Sequence, residues 1–426
     1  MIRNTLLSLF LFFIVLNGFS QEEKNHFFTE GTLRYDFEFV GNADTFWIAP
    51  VQQKKLNSYV GNPGNAIEGR DMGVYRFILY DIPSGMQIFK KGFNPLFQEW
   101  LQTSEAKKMN RSFYQALYFP MPVNNVQLSI DIRNTKNKWV RIYSDTINVS
   151  SYKIKNELPL AFPVNEIYKS GEPSDKIDIA ILSEGYTKKE LKKFRSDTRK
   201  MVDSIMNGEP FKSCRDRFNF YAVNVPSAES GCDMPADTIY KNTAFNSNFD
   251  TFDSQRYLTT SDYKSVCDAA DNVPWDYIII LVNTKRYGGG GFYNFLSITS
   301  VDNPRSWLVF IHEFGHSFAG LGDEYYNSGD NPDPSYLGGS EPWEPNLTSL
   351  VDFDSKWKKM VEPGTPIPTP RDSVYKNKVG AFEGGGYTSK GVFSPVMTCW
   401  MKELSAGRFC PVCQEAIKQT ILEQTK

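Results

Sequence analysis

The sequence predicts a multidomain α+β chain, with an N-terminal antiparallel β-sandwich followed by an α/β domain. Three observations predict it. The 426 residues exceed what one hydrophobic core usually serves. Short alternating runs separated by turn residues fill the first third, and beyond them apolar strands alternate with helical segments. Aromatics make up 15% of the chain, which suits strands because such rings pack well on a pleated surface. A net charge of −2 and a pI near 6.1 give no basic face, so nucleic acid is not an expected partner.

The elements follow in order. Residues 1–20 read as a signal peptide: one Arg, an apolar run from Leu6 to Leu16, then the small residues Gly18 and Ser20 before an expected cleavage after Ser20. The run is shorter than the ~20 apolar residues that cross a bilayer, so the expectation is a secreted chain without membrane insertion. Residues 21–165 are expected to form the sandwich, with strands in TLRYDFEFVG, DTFWIAPV, GVYRFILYDIP, RSFYQALYFPMP, NNVQLSIDIRN and KWVRIYSDTINV. A helical patch at Asn94–Thr103 interrupts them. The segment has no histidine after His26 and no cysteine, so it reads as an accessory domain. The polar stretch KSGEPSDK, Lys169–Lys176, reads as a linker. In the second domain, residues 166–426, IDIAILSEG, FNFYAVNVPS and WDYIIILVN read as strands and Thr187–Asn207 as a helix.

The stretch IHEFGHSFAGLGDEY, Ile311–Tyr325, holds two of the chain's 3 histidines. Asn303-Pro304 signals a helix start, and the helix is expected to run to Gly320 or Gly322. Trp307, Phe310, Ile311, Phe314 and Phe318 fall at spacings of three and four, so they form an apolar stripe. His312 and His316, four apart, share a face one turn above the other, with Glu313 beside them. Zinc hydrolysis needs this set. Two neutral imidazoles and a third ligand hold Zn2+, a water takes the open position, and a carboxylate accepts its proton. His26 lies in the other domain, so the third ligand is expected to be an oxygen or sulfur. Gly320 and Gly322 can turn the chain back toward the metal, and the first acids met are Asp323 and Glu324. Asp323 is favoured; Glu324 is the alternative ligand or an acceptor that orients a histidine N–H.

HEFGHSFAGLGDEY resembles the zinc-binding segment of the secreted bacterial IgA peptidase family, zincins related to the metzincins with an aspartate in place of the third histidine. LSEGYT at Leu182–Thr187, SGCDMP at Ser230–Pro235, GGGGF at Gly288–Phe292, and EGGGY through CWMKE and FCPVC are similar to that family too. The resemblance spans most of the chain after residue 20 and implies a zincin-like metallopeptidase domain that cleaves peptide bonds, without implying immunoglobulin as the substrate. Metzincins place the third histidine six residues after the second, which here is Gly322, one residue before Asp323. The resemblance also implies a methionine turn beneath the metal, at Met401 with Met397 as runner-up.

Other candidates are less constrained. Tyr325, Tyr326 and Tyr387 are candidate oxyanion donors, by proximity to the motif or by resembling family positions. Gly288–Gly291 leads into Phe292–Thr299, a strand expected either to pair with an extended substrate or to form a plain turn. DNPDPS at Asp330–Ser335 is a weak calcium candidate that matches no EF-hand spacing. Of the six cysteines, Cys410 and Cys413 form C-P-V-C. A zinc site there would need a second pair, so a disulfide to Cys399 or buried thiols is the expectation. The expected function is a secreted zinc endopeptidase acting on protein or peptide. The alternatives are a zinc amidase or deacetylase on cell-wall or glycan material, and a binding protein with a structural metal.

Overall fold

The computed structural model describes residues 25–57, 66–156, 158–326 and 339–425. The signal-peptide segment and the Asp330–Ser335 calcium candidate lie outside the described residues. The first unit is built from β1 (Phe28–Gly41), β2 (Phe46–Leu56), β3 (Tyr75–Asp81), β4 (Gln87–Phe93), helix α1 (Leu96–Trp100), β5 (Arg111–Pro122), β6 (Val126–Arg133), β7 (Trp139–Ile147) and β8 (Ile154–Lys155). The strands form two four-stranded sheets, ordered β5-β1-β2-β8 and β4-β3-β6-β7. Leu33, Tyr35, Phe37 and Phe39 alternate on β1 and are fully buried, and Phe39 stacks on Phe97 of α1 at 5.0 Å between centroids. The sequence reading missed β4. In QIFKKGF a lysine pair breaks the alternation, and a register shift opposite Leu79/Tyr80 puts Ile88 and Phe89 inside together.

The second unit contains β9 (Val164–Lys169), β10 (Ile177–Glu184), α2 (Leu191–Met206), β11 (Phe218–Val223), α3 (Tyr263–Ala270), β12 (Tyr277–Val282), β13 (Gly289–Gly291), β14 (Leu296–Ser300), α4 (Ser306–Ala319), the hairpin of β15 (Phe382–Gly385) and β16 (Thr388–Ser394), and α5 (Pro411–Gln424). Six strands form one sheet, ordered β13-β14-β12-β10-β11-β9, with antiparallel strands at its two ends and parallel pairs inside. The near-continuous apolar runs are explained by burial on both faces. Ile177, Ile179 and Ile181 of β10 face the core of α2, α4 and α5, while Ala180 and Leu182 face α3. The stretch expected to be the linker is a correction: Lys169 ends β9, and the polar residues after it make the turn into β10. Asn219 secures this turn by accepting from Ser170 N–H at 2.8 Å. Composition alone could not separate a tight turn from a tether, and the chain crosses between units before Val164.

One continuous apolar core joins the sandwich to the α3 face of the large sheet. Arg34 projects from the side of β1 opposite the aromatic face and is fully buried. It bonds Asp36 at 2.7 Å, Asp268 at 2.6 Å and Asp271 at 2.9 Å, the last two from the end of α3 and just beyond it. No helix among the described residues is long and apolar enough to cross a membrane. Removing one partner of a buried ion cluster leaves the others uncompensated, at a cost of about 3–5 kcal/mol. Arg34→Ala is therefore expected to lower the unfolding free energy by that amount, read by denaturant titration of the whole chain.

Candidate active site

Helix α4 starts at Ser306, later than Asn303-Pro304 suggests. Asn303 Oδ1 accepts from Arg305 N–H at 3.0 Å, which makes a turn ahead of the helix rather than its cap. The apolar stripe holds for Phe310, Ile311, Phe314 and Phe318. Trp307, expected within it, is 42% exposed because it sits in the first turn, edge-on to Trp400. The helix ends at Gly320 in the left-handed conformation, φ 60°, and Leu321 N–H donates back to the Gly315 carbonyl at 3.2 Å before the chain continues to Asp323.

This turn brings three donors together. His312 Nε2 and His316 Nε2 lie 3.1 Å apart, and Asp323 Oδ1 is 3.1 Å from the first and 3.3 Å from the second. Three ligands 2.0–2.2 Å from one tetrahedral ion would stand about 3.3–3.6 Å apart, a few tenths of an ångström from the separations here, so the set fits a metal ion. Asp323 Oδ1 is buried with no hydrogen-bond partner, which is costly unless a cation meets it. Both rings are fixed from behind. His312 Nδ1 lies 2.9 Å from the Trp400 carbonyl and His316 Nδ1 lies 2.5 Å from the Leu321 carbonyl, so each Nδ1–H donates and Nε2 keeps its lone pair forward.

Glu313 is half-buried next to the donors, and burial raises its carboxyl above the usual range. Its side chain packs on the glycine strand: a Cβ on Gly289 would sit 3.0 Å from Glu313 Cγ, and one on Gly291 only 2.3 Å from the Glu313 carbonyl oxygen. The glycines thus let α4 lie directly against β13. The expectation for Phe292–Thr299 is corrected here. β14 is bonded to β13 on one side and β12 on the other, so the sheet ends at the glycine run, where Leu258 N–H already donates to the Gly289 carbonyl.

The three tyrosines separate. Tyr387, carried at φ 62° on the β15–β16 turn, donates its hydroxyl to Asp323 Oδ2, which makes it an orienter of that carboxylate. Tyr325 lies parallel to the His312 ring at 6.4 Å, while Tyr326 packs on Gly384 and beside Lys402. Met401 is fully buried under α4, where the missing side chain of Gly315 admits its sulfur; Met397 is only half-buried. Glu324 does not join the three donors. Its side chain turns away from them, and Oε1 accepts from Asn346 Nδ2 at 3.0 Å and from Cys413 Sγ at 3.2 Å. Asn346 had no signal in the sequence, yet it clamps the turn by accepting from Gly322 N–H at 2.7 Å and donating to the Gly322 carbonyl at 2.9 Å. Another missed residue is Glu99 of α1, which accepts from the Tyr257 hydroxyl and so brings the first unit to the side of the second where the glycine strand lies.

Two imidazoles and a carboxylate converging on a helix of an α/β sheet, behind a β-rich N-terminal unit, have the make-up of a peptidase. The chain belongs to the IgA peptidase M64 family. That family's model matches residues 165–376 and 371–421, and the model of the peptidase M64 N-terminus matches residues 23–144. No curated protein matches the chain. Because Gly291 lies against the Glu313 backbone, Gly291→Ala is expected to push α4 outward and lower stability by about 1–3 kcal/mol, read as a fall in melting temperature.

Proposed function

We propose that this peptidase is a secreted, zinc-dependent endopeptidase, in which His312, His316 and Asp323 hold the ion. The observation that carries the reading is the convergence of three lone-pair donors, one of them the unpartnered Asp323 Oδ1, beside Glu313. Bound there, Zn2+ supplies Lewis acidity that lowers the pKa of a water toward ~7 and polarises the scissile carbonyl. The protein's own groups do the rest. Glu313 accepts the proton of the attacking water and returns it to the leaving amine. Tyr387 holds Asp323 Oδ2, which leaves Oδ1 for the ion, and the two backbone carbonyls fix the imidazole tautomers.

Secretion rests on the apolar run and small residues of positions 1–20. The substrate is a protein or peptide, as the family implies. Glu313 speaks against a purely structural metal, since a closed site has no use for a base.

Glu313→Gln is expected to reduce kcat/KM on a denatured-protein substrate by at least about 10²–10⁴-fold while metal content stays unchanged. A variant that keeps most of its turnover overturns the assignment. Chelation is expected to remove activity and stoichiometric Zn2+ to restore it, with elemental analysis run beside the assay.

A further inference from the structure

Beneath the candidate active site lies a second group of metal-ligating side chains. Cys399, Cys410, Cys413 and Glu324 are all buried, and each offers a donor atom within 4.8 Å of the other three. Cys399 Sγ and Cys413 Sγ are 3.7 Å apart, too far for a disulfide. Two thiolates 2.3 Å from one tetrahedral zinc would stand about 3.75 Å apart.

We propose that Cys399, Cys410, Cys413 and Glu324 bind a second metal ion, a structural zinc. Four protein ligands close the site, as structural zinc requires, and thiolate-rich donors select zinc over hard cations. Independent contacts favour thiolates at these positions. Cys410 N–H points at Cys399 Sγ at 3.3 Å, and Cys413 N–H points at Cys410 Sγ at 3.4 Å. Cys410 and Cys413 also occupy the N-terminus of the 14-residue helix α5, where the helix dipole favours negative charge. Glu324 Oε2 is fully buried with no partner, an orphan that a cation would satisfy. Binding exchanges the thiol protons for the ion and releases them to solvent.

The ion would tie three pieces of chain: the segment after α4, the Cys399–Met401 floor beneath His312, and helix α5. In an oxidising compartment the competing fate of these sulfurs is a disulfide.

The test uses the full chain purified from zinc-supplemented medium. Wild type is expected to carry two zinc equivalents, and the double variant His312→Ala/His316→Ala is expected to keep one. Chelated and denatured wild type is expected to have the mass of six reduced cysteines. Cobalt loaded into the double variant is expected to give the near-ultraviolet thiolate-to-cobalt charge-transfer band. Cys410→Ser/Cys413→Ser is expected to lose one zinc equivalent and to melt earlier; if that variant fails to fold, the cobalt band in the histidine variant decides. A histidine variant free of metal and of the band overturns the proposal. So does a wild-type mass lighter by the two hydrogens of a disulfide within the Cys399, Cys410 and Cys413 peptides. Neither readout depends on turnover, so the peptidase mechanism stands or falls separately.

Discussion

One buried carboxylate oxygen organises the centre of this protein. Asp323 Oδ1 lies between two imidazole nitrogens with no hydrogen bond of its own. Three lone pairs gathered at one point repel each other unless a cation sits among them. The surroundings hold that arrangement: carbonyls behind each ring, the Tyr387 hydroxyl on the other oxygen of the aspartate, and Asn346 on the turn that delivers it. The left-handed Gly320 makes the geometry reachable, because it reverses the chain within a few residues of His316.

The sheet and the sandwich set the depth of this centre. The glycine strand lets α4 lie closely on the sheet end, and the packing of Met401 under Gly315 fixes the helix from the other side. The sandwich does more than accompany the catalytic unit. It shares a core with it, buries Arg34 against α3, and brings Glu99 within reach of Tyr257. Its share in the second unit rests on contacts across 158 residues of sequence, which no local pattern announces.

What the sequence made legible is what short periods encode. The four-residue spacing of His312 and His316, the helix-ending Gly320 and the alternating strands of the sandwich all follow from the helical and pleated repeats. Trp307 and the Asn303-Pro304 start erred by about one turn, since helix ends depend on what packs there. Adjacent acids look equivalent in a string of letters, whereas in the fold Asp323 meets the imidazoles and Glu324 meets Asn346 and Cys413. Its cysteine partners lie 75 to 89 residues away, and sequence spacing could count sulfurs there but not a carboxylate.

The adjacency of Asp323 and Glu324 carries a consequence for how this chain can vary. Asp323 meets the two imidazoles while its neighbour Glu324 meets Cys413 and Asn346, so one residue inserted or deleted between Gly320 and Asp323 would move both carboxylates away from their partners. Substitution can tune this segment, but its length is fixed, and natural relatives should tolerate indels on either flank well before they tolerate one here.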